Sequence, residues 1–117
     1  MARVLGIGGH FLRAADPAAL TAWYRDVLGL DLDEHGGWQQ EGGTTVFAAF
    51  PADTEHLGSA RQGSMLNFRV DDLGGLLARL RAAGADVSDD VQEMDGVGRF
   101  GWVTDPEGTR IELWQED

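Results

Sequence analysis

The stretch "GRFGWVTDPEGTRIELW", Gly98 to Trp114, reads as two strands joined by a Pro-Glu-Gly turn. Its second strand sets Glu112 between Ile111 and Leu113. Side chains alternate across a strand, so Ile111 and Leu113 share one face, while Arg110, Glu112 and Trp114 share the other. A carboxylate beside such apolar neighbours is either solvated on the far face or aimed into a pocket where it has a role.

Two helices stand upstream of this stretch. Asp16 is an N-cap candidate and Pro17 a favourable first helical residue, after which Leu20, Trp23, Tyr24, Val27 and Leu28 recur at helical spacing until Gly29. After Asp71 and Asp72, the residues Leu73, Leu76, Leu77 and Leu80 repeat the stripe until Gly84. The remainder is strand-like. "VLGIGGHFLRA" precedes the first helix, and "LDLDEH", "WQQE" and "TTVFAAF" follow it, divided by Gly36-Gly37 and Gly42-Gly43. "SMLNFRV" precedes the second helix, and "DVSDDVQEM", "RFGWVT" and "TRIELWQ" follow. Sliding the chain by roughly fifty-five residues lays "FLRAADPAALTAWYRDVLGLDL" over "NFRVDDLGGLLARLRAAGADV". The expectation is one domain, 1–117, made of a duplicated unit: module one over about 1–50, a linker over 51–63 and module two over about 64–117. The linker, "PADTEHLGSARQG", is long for a plain connection and could fold over a site.

Composition narrows the function. With 117 residues there is room for one core and not for two independent ones. A net charge of −11 argues against nucleic acid and against an anionic membrane surface. All nine basic residues are Arg, which removes Schiff-base lysine chemistry and any P-loop. The absence of Cys removes disulfides, thiolate nucleophiles and Cys-ligated zinc. The amino end reads as a first strand, not a signal peptide, and a cytoplasmic setting is the expectation. "GIGG", Gly6 to Gly9, lacks the third glycine and the following helix of a dinucleotide fingerprint.

Alternation also places the candidate binding groups. Leu66, Phe68 and Val70 take the helix side of their strand, leaving Met65, Asn67 and Arg69 opposite. If two such sheets curl toward each other, their helix-free faces line a trough. Arg13, Arg69 and Arg110 would make an anion site there, and Phe11, Phe47, Trp102 and Trp114 an apolar wall for an aromatic or aliphatic ligand. His10 falls on the helix side unless a bulge in the glycine-rich run re-aims it. His35 and His56 read as solvated, although His56 could act from a closing loop.

The segments "DPAALTAWYRDVLGLDL", "NFRVDDLGGLLARLRAAGADV" and above all "DPEGTRIELW" resemble the vicinal oxygen chelate superfamily, the glyoxalase, bleomycin-resistance and extradiol-dioxygenase group. The resemblance covers nearly the whole chain and implies an α+β fold. In it two tandem βαβββ modules form curled mixed sheets around a small-molecule trough, usually in a homodimer. It also implies four trough-facing metal positions in the enzymes. Here the last is Glu112, and the others fall on Phe47, Met65 and Gly9, with His10 one place from Gly9. A divalent Zn, Ni, Mn, Mg or Fe ion would therefore have Glu112 and His10 alone as ligands, fewer than the three such ions need.

Three readings remain open on the sequence. One is a binding protein without a complete metal site, taking a small organic ligand, anionic or aromatic. The second is a glyoxalase-like lyase or a dioxygenase, with Glu112 as ligand or catalytic acid-base group. The third is a structural or regulatory dimer whose trough is filled by its own side chains.

Overall fold

The computed structural model describes residues 2–117, so Met1, the first residue of module one, lies outside it. The fold is α+β with a mixed sheet. Helix α1 spans Pro17–Ala22 and continues as π-helical turns over Trp23–Leu28. Strand β1 (Asn67–Arg69) leads into helix α2 (Leu73–Ala82), followed by β2 (Asp86–Val87), β3 (Gln92–Met94), β4 (Gly98–Thr104) and β5 (Arg110–Glu116). The sheet order is β1-β5-β4-β2, with β3 also on β4. Only the β1–β5 pairing is parallel. The carboxyl half thus forms a βαβββ unit in which β2 and β3 act as one interrupted strand. Among the described residues no helix is long and apolar enough to cross a membrane.

The helix caps are those expected from sequence. Asp16 accepts from the Ala19 amide at 3.0 Å and Asp72 from the Gly75 amide at 3.0 Å, each satisfying a donor that the first turn leaves free. Gly29 turns left-handed at φ 97° to end the first helix, where the Arg79 guanidinium of α2 donates to the Leu28 carbonyl at 2.9 Å. One face of β4 and β5 meets the helices: Ile111, Leu113 and Val103 pack with Leu73, Leu77, Leu80, Leu20, Tyr24 and Leu28. Gly101 lies under α2, where a Cβ would stand 3.2 Å from a Leu77 methyl.

The Asp-Pro-Glu-Gly turn holds the two halves together. Asp105 accepts from the Glu107 and Thr109 amides at 2.8 and 3.0 Å, which closes the turn. Its other oxygen accepts from the buried Tyr24 hydroxyl at 2.7 Å. Glu107 reaches across to accept from the Ala15 and Asp16 amides at 2.9 and 3.2 Å, just ahead of α1.

The amino half departs from the sequence reading in one respect. "VLGIGGHFLRA", "LDLDEH", "WQQE" and "TTVFAAF" form no ladder within this chain. Val4 is 92% exposed, Phe11 95% and Phe47 93%. Alternating apolar residues make a segment competent to be a strand, but a strand exists only when a partner takes its backbone groups. The Gly36-Gly37 signal does form a turn, with Asp33 accepting from the His35 and Gly37 amides at 2.8 Å. Gly42-Gly43 makes no hairpin. The Arg69 guanidinium lies against Gly43 and donates to the Glu41 and Gly42 carbonyls at 2.6 and 3.2 Å. The radius of gyration, 14.8 Å, exceeds the roughly 13 Å of a compact domain of this length.

Burial, with Asp105 beside it, holds the Tyr24 hydroxyl protonated far above the usual phenol range. A proton held more tightly in the folded state stabilises fully below the ordinary phenol pKa of about 10, and that contribution is lost as pH rises beyond it. Tyr24→Phe leaves an Asp105 oxygen without its donor and is expected to cost about 1–3 kcal/mol at neutral pH. The variant should also lose stability less steeply than wild type above about pH 10 in urea titrations. Equal stability of the two proteins at neutral pH would contradict this account of the turn.

Candidate functional site

Strand register builds the site. Asn67 of β1 stands opposite Glu112 of β5, and Glu112 opposite Trp102 of β4, so the three side chains form one row on the helix-free face. Arg69, Trp114 and Phe100 form the next row. The alternation read from "RIELW" therefore holds, with Ile111 and Leu113 in the core and Glu112 on the other face.

That face is not open to water at Glu112, whose exposure is only 7%. Asn67 donates to Oε1 at 2.8 Å, and the Trp102 indole N–H to Oε2 at 3.0 Å. A third nitrogen comes from the linker: His56 Nε2 lies 2.9 Å from Oε2. The Asn67 and Trp102 hydrogen bonds replace hydration that a buried carboxylate loses, and the His56 imidazole stands at ion-pair distance from the same oxygen as the indole.

The linker is fastened to β5 at a second point. The Gln62 side-chain amide accepts from the Arg110 amide at 2.8 Å and donates to the Arg110 carbonyl at 2.8 Å, as a neighbouring strand would. Arg110 in turn donates to the His56 carbonyl at 3.3 Å, and its guanidinium lies 4.9 Å over the Trp102 ring. The His56 ring stacks on Phe50 with centroids 5.0 Å apart and meets Trp102 edge-on at 6.2 Å. Three consecutive turns, closed by Thr54, Gly58 and Gln62 amides, shape the segment between these points.

Of the residues singled out in the sequence, Met65, Asn67, Arg69, Glu112, Trp114, Phe11, Phe47 and His10 border one open space of about 2610 Å³, which also runs past Leu20, Tyr24, Leu28 and Leu76 on the helix side and leaves Phe11 and Phe47 almost fully exposed. Trp102 lies beneath it as a donor to Glu112. Arg110 is occupied by Trp102 and the linker, Arg69 by the carbonyls of residues 41 and 42, and Arg13 is exposed. Trp114 stacks on Phe100 at 6.0 Å and donates to the Val97 carbonyl at 3.1 Å.

The donor set does not suit a metal ion within one chain. Both Glu112 oxygens already accept from nitrogen donors, and two of these, the Trp102 indole and the Asn67 amide, supply protons instead of lone pairs. No cluster of three or more His, Cys, Asp or Glu able to hold an ion occurs among the described residues. No hydrogen bond or ion pair among them joins His10 to Glu112.

His56, read in the sequence as solvated but able to act from a closing loop, lies in a segment without periodicity, and the structure sets it beside Glu112. Glu112→Ala should cost about 1–3 kcal/mol in denaturant titrations, because it strands the buried Trp102 indole donor. Glu112→Gln, which keeps an acceptor oxygen, should cost clearly less. Equal and negligible losses in both variants would mean that the carboxylate is not the hub described.

Comparison with known proteins agrees with this architecture. The family described as a glyoxalase-like domain matches residues 10–114. TnmS3, an antibiotic binding protein from Streptomyces sp. CB03234, is 25% identical, with 89% of each chain covered and a TM-score of 0.57. FosX, a genomically encoded fosfomycin resistance protein from Listeria monocytogenes, is 16% identical, with 98% of this chain and 96% of that chain covered and a TM-score of 0.67. A lactoylglutathione lyase from Agrobacterium tumefaciens is 20% identical, with 97% and 96% covered and a TM-score of 0.59. No curated protein matches the chain. The chain is a member of the glyoxalase-like domain family.

Proposed function

We propose that this protein binds a small, largely aromatic organic molecule in its trough without using a metal ion. The observation that carries this reading is the state of Glu112. Its oxygens accept from the Asn67 amide and the Trp102 indole, groups that bring protons and not lone pairs, so it serves as a polar anchor of the floor and not as an ion ligand. Phe50, stacked on His56, and the Phe100–Trp114 pair in the next row of the sheet give aromatic surface beside that anchor. Likeness to an antibiotic binding protein at 25% identity points the same way.

The reading includes a homodimer in a cytoplasmic setting, with modules at about 1–50 and 64–117 joined by the linker over 51–63. At about 2610 Å³ the trough is far larger than the roughly 300–1,000 Å³ of sites that enclose a small ligand. The apolar segments around Val4 to Phe11 and Val46 to Phe50 supply what would narrow it. Their side chains are exposed and their backbones are unpaired, the condition in which a strand recruits another chain. A second copy offers the matching surface by symmetry.

In a thermal-shift screen of aromatic compounds, at least one should raise the melting temperature equally with and without a metal chelator. The protein should sediment as a dimer, and Phe47→Glu should shift it toward monomer while weakening the hit. A flat screen, or a hit abolished by the chelator, would overturn the metal-free binding reading.

A further inference from the structure

The linker over 51–63 keeps its backbone bonding to itself. Its three turns close within the segment, the Thr54 amide onto Pro51, Gly58 onto Glu55 and Gln62 onto Ser59. The Thr54 and Ser59 hydroxyls accept from the His56 and Arg61 amides inside the same turns. None of its residues belongs to the apolar core. A segment with no ladder and little apolar burial sits at the low end of the local stabilities within a fold.

What holds it down converges on two residues of β5. Among the described residues, its hydrogen bonds and ion pairs to the sheet all end at Arg110 or Glu112. Gln62 supplies most of them. Its amide oxygen accepts from the Arg110 amide at 2.8 Å, while its nitrogen donates to the Arg110 carbonyl at 2.8 Å and to the Ser64 carbonyl at 3.0 Å. Gly58, left-handed at φ 86°, lies against the Arg110 stem, where a Cβ would stand 2.9 Å from Cδ. Under the segment lie Trp102, 2% exposed, and Glu112.

We infer that residues 51–63 form a strap that lifts from the sheet and re-seats as one unit, with the Gln62 side-chain amide as its latch, and that this movement controls access to Trp102 and Glu112. Lifting breaks the links to Arg110 and Glu112 and none of the three turns, so it costs far less than opening the core. As a gate to the trough the strap rests on the binding reading above, whereas its detachment does not.

Hydrogen exchange followed by NMR on the purified full chain tests this with no ligand present. Two protons report the strap: the Arg110 amide, which Gln62 covers, and the Trp102 indole N–H, which donates to Glu112. In wild type both should be protected at least tenfold less than the Leu77 and Leu80 amides of α2. Gln62→Met, which keeps a long side chain and removes the amide, should lower protection of the Trp102 indole about a further tenfold. Tyr24→Phe weakens the clamp on the opposite side of the sheet. It should lower protection in α2 and leave both strap reporters as in wild type, because the strap lifts while the core stays closed. Strap protons protected as strongly as α2 in wild type, an indole unchanged by Gln62→Met, or an indole that follows α2 in Tyr24→Phe would each overturn the inference. Trough binding would stand or fall separately, on the thermal-shift screen.

Discussion

A carboxylate removed from water needs donors at both oxygens, and that requirement at Glu112 organises the helix-free face of the sheet. Two donors come from the sheet itself, because register sets Asn67 and Trp102 on either side of Glu112. The linker folds back over β5 and sets His56 Nε2 2.9 Å from the oxygen that takes the indole proton. Gln62, pairing with both backbone groups of Arg110, extends the sheet by one side-chain amide and fastens the same segment. A single-residue slip of β5 would turn Glu112 into the leucine core and Leu113 toward the histidine, so the register is defended from both faces.

The opposite side of the sheet answers to a different constraint. There the helices bury Ile111, Leu113 and Val103, and the Asp-Pro-Glu-Gly turn reaches across to the first helix through Asp105 and Glu107. The motif most characteristic of the chain is therefore a structural clamp. Asp105 closes the turn and holds Tyr24, while Glu107 takes the two amides that lead into α1. One hairpin thus carries both features, the clamp at its turn and the buried carboxylate in its second strand.

Much of this was legible in the sequence, for physical reasons. Helical spacing of Leu20, Tyr24 and Leu28, and of Leu73, Leu77 and Leu80, announces faces that must be buried, and Asp16 and Asp72 announce where the helices begin. Alternation in "RIELW" separates Glu112 from the core because the period of a strand is two. Other features depend on partners that local pattern does not name. His56 lies in a segment of linker composition, and its contact with Glu112 joins distant parts of the chain. "TTVFAAF" has the alternation of a strand, yet no other segment takes its backbone groups, so it forms no ladder. Trp102 reads as an aromatic wall residue, but its indole proton is directed at the carboxylate beside it. Arg69 reads as an anion ligand, but the close approach allowed by Gly43 turns its donors to backbone carbonyls.

The most direct measurement is a crystal structure of the protein grown with excess zinc, with anomalous data collected at the metal edge. The account predicts Glu112 bonded to Asn67, Trp102 and His56 at hydrogen-bond distances, with no anomalous density beside it. A zinc ion about 2.0–2.2 Å from Glu112, with the indole and imidazole protons displaced from its oxygens, would contradict it.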